Sequence, residues 1–310
     1  MEVVHSTASL ECLRDFALGS FSSVQDKMSA EEFDEFLTEL GLLWKSRKCP
    51  SCHLPCRVFR QAGKCGHRIR AKFICRRKQC REPGQPRNVG YLKGTFFEKL
   101  KCSRKKLFLA SALFVDDTEK VENRAQRCTV SQPTIMQWDQ WFRGVIVGSF
   151  FNDESPHKIG GPNTILQLEE AYIAEQERGE GRLPRDCWVV MGTIEDSKEI
   201  FVQISPKRVP ATLDSIIAKH VLPGTTIGNL GYVHKVANCQ ESSPDPSPDI
   251  HSPESEAAWS RIRRALDKNG LEGALSDDHF LEYVWKWQHR NEPKLYLLWN
   301  EVSKQYPLVE

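Results

Sequence analysis

Two pairs of cysteines have the spacing of a metal site. Cys49 and Cys52 are separated by two residues, and Cys75 and Cys80 by four, within a polar, basic stretch. A short strand-like segment precedes each pair, so the two pairs can form two turns whose thiolates converge on one ion. Zinc prefers four such thiolates, and it supplies folding energy that so polar a segment cannot obtain from a core. We therefore predict one structural Zn2+ bound by these four cysteines.

Other residues compete as ligands within the same segment. An alternative interpretation makes them spare thiols and part of a solvent-facing hairpin tip, and we prefer it because only the two outer pairs combine paired spacing with flanking strands. The competitors are Cys56, Cys65, His53 and His67.

Cysteine content and the N-terminus bear on the compartment. Six of the 11 cysteines lie between positions 49 and 80. The N-terminal sequence MEVVHSTASLECLRDFALGS carries charges where a signal peptide needs an apolar core. The sequence contains no run of about 18 apolar residues, so it predicts no membrane span. We therefore expect an intracellular, nuclear protein, in which clustered cysteines favour metal over disulfides.

The charge is concentrated in one block. The 310 residues carry a net charge of +2, but positions 45–106 hold 20 lysines and arginines against only Glu82 and Glu98. This block has a charge of +18, so the rest of the chain sums to −16. A solvated basic surface is the plainer interpretation, but a block of nearly one sign favours a polyanion such as DNA. The predicted phosphate contacts are Arg76, Arg77, Lys78, Lys101, Arg104, Lys105 and Lys106.

Residues 121–138 have the rhythm of a helix-turn-helix. Ala125 is small enough for a close helix crossing, Val130 fills the turn, and Ile135 and Trp138 are predicted to be buried. A plain helical hairpin that binds nothing is the alternative. Beside the basic block we favour DNA, read by side chains on the outer face of the second helix. That face is predicted to carry Gln132, Thr134, Gln137 and Asp139.

The remaining pattern predicts an α+β multidomain protein. Ser29 and Glu32 predict a capping box that starts an N-terminal helix. After position 159 the order is strand, strand, strand, helix, strand and late helices, which is the order of a ribonuclease H-like domain. The predicted domains are an N-terminal helical segment 1–43, a zinc-ribbon-like basic domain 44–102, a helix-turn-helix 103–150, and a ribonuclease H-like domain 151–310 with a Pro/Ser/Asp-rich loop 240–254.

Nine segments in order make the chain resemble transposases of the Merlin superfamily and their bacterial insertion-sequence relatives. They include GLLWKSRKCPSC, ICRRKQC, GTFF, VENRAQRCTVSQPTIMQW, IGGPNTILQLEE, WVVMGTIE, HVLPGTTI, EAAWSRIRRAL and LEYVWKW. The resemblance covers about 36–306 and implies a zinc ribbon, a helix-turn-helix and a ribonuclease H-like transposase domain.

The resemblance also implies a two-metal site, in which two Asp and one Glu hold Mg2+ or Mn2+ for phosphoryl transfer. Glu169 stands where the first Asp is expected, and its extra methylene shifts the carboxylate by about an ångström. The second Asp and its surrounding segment are missing between Ile227 and Gly231. Glu256 matches the third position.

This departure from the family pattern predicts a transposase-derived DNA-binding protein with impaired catalysis. The first alternative is an active transposase that uses Glu169, Glu256 and a third ligand of its own, and therefore Mg2+ or Mn2+. The second is a protein-interaction scaffold in which the shortened domain serves dimerisation. The expected partners are DNA and, as a candidate, a second copy of the chain; no membrane partner is expected.

Overall fold

The computed structural model describes residues 10–16, 28–62, 69–80, 88–152, 158–173, 187–194, 196–197, 199–205, 210–227 and 278–309. The chain divides into two compact units, Met1–Val145 with Asn291–Glu310, and Ile146–Arg290. The described residues form seven α-helices and two sheets, which confirms the α+β class.

The first unit combines a small sheet with a helical core. Its three strands run antiparallel in the order β1–β2–β3. The elements are α1 (Ala30–Glu39), β1 (Arg57–Ala62), β2 (Ile69–Ile74), β3 (Asn88–Gly90), α2 (Arg104–Asp116), α3 (Val121–Cys128) and the first part of α4 (Gln132–Asn152).

The predicted capping box at the start of α1 is confirmed. Ser29 Oγ accepts a hydrogen bond from the Glu32 amide at 3.1 Å, and Glu32 Oε2 accepts one from the Ser29 amide at 2.6 Å. These two bonds satisfy amides that would otherwise have no partner in the first turn.

Aromatic side chains form the core of this unit. Phe108 of α2 stacks on Trp299 at 5.2 Å between ring centroids, and Phe97 stacks on the same indole at 5.7 Å. The indole N–H of Trp299 donates to the buried hydroxyl of Ser111 at 3.0 Å, so the ring is buried with its polar atom paired. Trp299 lies on α7 (Lys294–Gln305), the last of the described helices. Although α7 is near the end of the sequence, it belongs to the first unit. The sequence-based boundaries at 44, 103 and 151 stay predictions.

The second unit contains a four-stranded sheet in the order β6–β5–β4–β7. β5 is antiparallel to both neighbours, whereas β7 pairs parallel with β4. One face packs on α5 through Leu213 and Ile216, and the other packs on α6 through Phe280 and Leu281. The elements are β4 (Ile165–Ile173), β5 (Cys187–Ile194), β6 (Ile200–Ser205), α5 (Pro210–His220), β7 (Thr226–Ile227) and α6 (Asp278–Gln288).

Candidate metal centre and nucleic-acid surface

The first cysteine pair lies on a tight turn that backbone hydrogen bonds close. The Cys49 amide donates to the Leu54 carbonyl at 2.9 Å, and the His53 amide donates to the Cys49 carbonyl at 2.9 Å. His53 adopts a φ of +55°, a left-handed conformation that completes the turn. The Cys56 amide then pairs with the Arg47 carbonyl at 2.8 Å, so both sides of the turn are fixed.

The second pair lies at the end of β2. Cys75 follows the last strand residue, and a short 3-10 helix, Lys78–Cys80, brings Cys80 back towards it. The Cys80 amide donates to the Arg77 carbonyl at 3.1 Å. Because the strand and the short helix fix both ends, the four intervening residues of the looser pair still form a defined turn.

The four thiols converge at the spacing of a tetrahedral site. All four Sγ atoms lie within 4.8 Å of one another. The Cys49–Cys80 and Cys52–Cys75 Sγ pairs are 3.9 and 3.8 Å apart. A tetrahedron with Zn–S bonds of about 2.3 Å has edges of about 3.8 Å. Cys49, Cys52, Cys75 and Cys80 can therefore hold a metal ion such as zinc, as the sequence predicts.

Arg77 neutralises part of the charge that such a site carries. Its Nη1 lies 3.5 Å from Cys75 Sγ and 3.8 Å from Cys52 Sγ, and it donates to the Pro55 carbonyl at 3.2 Å. One guanidinium thus contacts a thiol from each pair. The phosphate contact predicted for Arg77 stays a prediction; the structure places its guanidinium beside the metal ligands.

Hydrogen bonds and burial set the ionisation of the thiols. The backbone amide and then the guanidinium of Arg77 lower the pKa of Cys75 to about 6. The backbone amide of Leu54 lowers the pKa of Cys52. Burial raises the pKa of Cys80 to about 12, so this thiol ionises near neutral pH only when a cation offsets its charge. The donor set therefore fits a thiolate-binding dication.

Of the competing ligands, the two that the structure describes, Cys56 and His53, do not belong to the converging group. Cys56 packs beside the four thiols but is not one of the group that converges. Burial raises its pKa to about 11, which favours a protonated spare thiol. The His53 side chain is exposed. Cys65 and His67 lie outside the described residues.

Several of the predicted phosphate contacts have partners within the protein. Arg104 forms two bonds to the buried carboxylate of Asp34, at 2.5 and 2.7 Å. Lys105 Nζ donates to the Met28 carbonyl at 2.5 Å. The side chains of Arg76, Lys78 and Lys101 are exposed.

Lys106 joins α2 to the turn between α3 and α4. Its Nζ donates to the Thr129 carbonyl at 2.8 Å. Thr129 has a φ of +52°, and the Val130 amide reaches back to the Ala125 carbonyl at 3.0 Å. This left-handed residue closes α3 and lets α4 start three residues later, which is the connection that the helix-turn-helix pattern predicts.

A buried ion pair locks the two helices together. Arg124 of α3 forms two hydrogen bonds to Asp139 of α4, at 2.8 and 2.6 Å, and both side chains are about nine-tenths buried. The prediction that Asp139 lies on the outer face is therefore wrong, because its carboxylate turns inward to the guanidinium. Ala125 is 4%, Ile135 0% and Trp138 1% exposed, so the predicted inner face is confirmed.

The outer face of α4 begins with uncharged side chains. Gln132 and Gln137 are exposed, and Thr134 is half-buried and bonds the Ser131 hydroxyl at 2.9 Å. Met136 is 61% exposed beside the two glutamines. Sequence reasoning missed Met136, although its position one residue before Gln137 and two before buried Trp138 indicated the outer face.

Of the two candidate catalytic carboxylates, only Glu169 lies among the described residues. Glu169 lies in the middle of β4 opposite Met191, so it faces the side of the sheet that packs on α6. Glu256, like Gly228 and Asn229, lies outside the described residues. The two-metal site that the resemblance implies is therefore represented here by Glu169 alone.

Comparison with known proteins identifies no relative. No protein-family model, no curated protein and no solved structure matches the chain significantly. Among the helices of the described residues, none is both long and apolar enough to cross a membrane.

Proposed function

We propose that this chain is a transposase-derived, zinc-stabilised DNA-binding protein of the nucleus that has lost most of its catalytic capacity. The observation that carries the proposal is the presence, in one compact unit, of a four-thiol cluster, a basic segment and a helix pair whose second helix begins with an exposed outer face. Each part contributes one step to DNA binding.

The zinc ion holds the basic segment in shape. Cys49 and Cys75 are buried, whereas Arg76 and Lys78, which lie within the second turn, are exposed. Zinc therefore fixes the backbone that presents these cations to phosphate, and the cations supply the salt-dependent part of the affinity.

The helix pair supplies the base contacts. The Arg124–Asp139 ion pair and the Thr129 turn fix α4, so Gln132, Met136 and Gln137 project from one rigid element. Glutamine pairs with adenine in the major groove, and an apolar side chain contacts the thymine methyl group. A preference for A·T-containing sites follows.

The second unit supports the transposase origin. Three antiparallel strands, a helix, and a fourth strand that pairs parallel with the first are the elements of a ribonuclease H-like sheet. Glu169 lies on the first strand of this order. Glutamate in place of aspartate there, and the absence of the Asp segment after Ile227, are the reasons for proposing impaired catalysis.

DNA binding is tested with the zinc-loaded full chain and a fluorescent duplex of about 20 base pairs and random sequence. We expect the affinity to fall by roughly a thousandfold between 50 and 200 mM salt, because several phosphates are neutralised. Lys101→Gln should lower the salt slope by about 0.9. Lys304→Gln, an exposed change outside the basic segment, is the matched control. Affinity without salt dependence, or equal effects of both variants, would contradict the proposal.

Base reading is tested by selection from randomised duplexes. We expect Gln137→Ala to relax the preference at one position by about 1–3 kcal/mol, with little change in affinity for random duplex. A wild-type protein that selects no preferred sequence would remove this part of the proposal and leave the phosphate contacts.

Catalysis is tested on DNA that carries the terminal repeats of the element from which the protein derives. We expect no strand nicking with Mg2+ or Mn2+, and no difference between the wild type and Glu256→Gln. Metal-dependent nicking that Glu256→Gln abolishes would establish the active transposase instead. A chain that dimerises but binds no DNA would favour the interaction scaffold.

A further inference from the structure

Among the described residues, one face of the three-stranded sheet packs on the rest of the first unit and the other carries exposed side chains. The packing face carries Phe73, which is fully buried and lies 5.6 Å from the ring of Tyr91. Arg60 lies on the same face, and its guanidinium is 3.5 Å from a carboxylate oxygen of Glu31. The side chains of this face thus bind β1 and β2 to the rest of the unit.

The opposite face is open to solvent. Phe59 is directly opposite Lys72 in the register, and Lys72 is opposite Gly90, so these three residues form one row across the sheet. Phe59 is 36% exposed, and Lys72 is also exposed. Gly90 has no side chain, so the row stays flat on its β3 side. Arg57 is two residues before Phe59 and therefore lies on the same face, also exposed.

The charges on this face have one sign. Lys72 Nζ lies 5.8 Å from the centroid of the Phe59 ring, and Arg57 is the next residue of β1 on this side. No described strand position on the face is acidic; by register its remaining strand positions are Gln61, Arg70, Ile74 and Asn88. An exposed ring between cations without carboxylates suits a polyanion that also offers flat apolar groups.

We propose that this face binds single-stranded nucleic acid, with one base stacked on Phe59 and the adjoining phosphates held by Arg57 and Lys72. A duplex does not fit the same chemistry, because its bases are already stacked on their neighbours and present only edges. The site lies within the basic segment, but it shares no residue with the α3–α4 pair or with Arg76, Lys78 and Lys101, so its variants test it separately from the duplex binding proposed above. It adds a second strand-binding surface to the same unit.

The test uses the zinc-loaded full chain and two fluorescent probes, an oligothymidine of about 15 nucleotides and a hairpin duplex. Phe59→Ala should weaken oligothymidine binding by about tenfold and leave duplex binding unchanged. Phe59→Trp should bind oligothymidine at least as tightly as the wild type, because the larger ring stacks more strongly. Lys72→Gln should lower the salt slope for oligothymidine by about 0.7.

Val58→Ala is the matched control, since Val58 is a neighbouring, similarly exposed apolar residue at 39% on the other face of the same strand. The zinc content of each variant shows whether the sheet still folds. Equal losses for Phe59→Ala and Val58→Ala at full zinc content would overturn the proposal, as would absence of oligothymidine binding by the wild type. A wild-type protein that binds oligothymidine but not the hairpin duplex would count against the helix-turn-helix proposal and not against this one.

Discussion

Replacing one ligand of the four-thiol cluster should remove the metal and unfold the segment around it. The substitution is Cys75→Ser, which leaves three thiols within 4.8 Å of one another and a hydroxyl that zinc binds poorly. We expect zinc content to fall from about one ion per chain to near zero. The aromatic core around Trp299 should survive, because Phe97 and Phe108 stack on Trp299 without using the cysteines of the cluster.

The magnitude follows from how little else holds this segment together. Apart from the cysteines, the largest buried side chain of the three strands is Phe73, and burying a phenylalanine contributes about 1.5–3 kcal/mol. A structural zinc contributes about 10–16 kcal/mol at neutral pH. The metal therefore outweighs the main apolar contact several-fold, so the strands should not remain folded without it.

The assay combines elemental analysis of dialysed protein with backbone hydrogen exchange. In Cys75→Ser, amides of 49–58 and 69–80 should exchange at nearly the rate of unfolded peptide, while those of α2 stay protected. Cys56→Ser is the matched control, because this thiol packs beside the cluster without belonging to it. Retention of one zinc and of slow exchange by Cys75→Ser, or an equal loss in Cys56→Ser, would refute the reasoning.

Three further predictions concern the helix pair. Asp139→Ala should lower the free energy of unfolding by about 3–5 kcal/mol, because it leaves the buried Arg124 guanidinium without its partner. Replacing both residues by apolar side chains should lower the free energy of unfolding much less. Urea unfolding of both variants tests this difference. Thr129→Gly should raise the free energy of unfolding by up to about 1 kcal/mol, since a φ of +52° strains a β-branched residue; an unchanged or lower urea midpoint would contradict it. Burial raises the pKa of Cys128 from 9.0 to about 11. The contribution of this buried, protonated thiol to folding stability is therefore complete below about pH 9 and is lost as the pH rises through about 11. At about pH 8 iodoacetamide should label exposed Cys102 and spare Cys128, and equal labelling of both in the folded protein would contradict the burial of Cys128.

Local patterns in the sequence were sufficient for several features. The ligand set of the cysteine cluster follows from two short spacings, and the capping box at Ser29 from residues three apart. The helix-turn-helix rhythm places the turn between α3 and α4, whereas the left-handed φ of Thr129 within it was seen only in the structure. Each of these depends on residues close in the chain, for which backbone geometry alone restricts the possible contacts.

Long-range partners were decided only by the tertiary structure. Asp139 reads as an exposed helix charge until Arg124, 15 residues earlier, is placed against it, and Arg104 reads as a phosphate contact until Asp34 is found 70 residues away. The open face around Phe59 likewise depends on which side of β1 the rest of the unit covers. A charged or aromatic side chain carries the same letter whether it is paired, packed or open to solvent. Its environment is set by which distant elements pack beside it, and composition and spacing do not specify that packing.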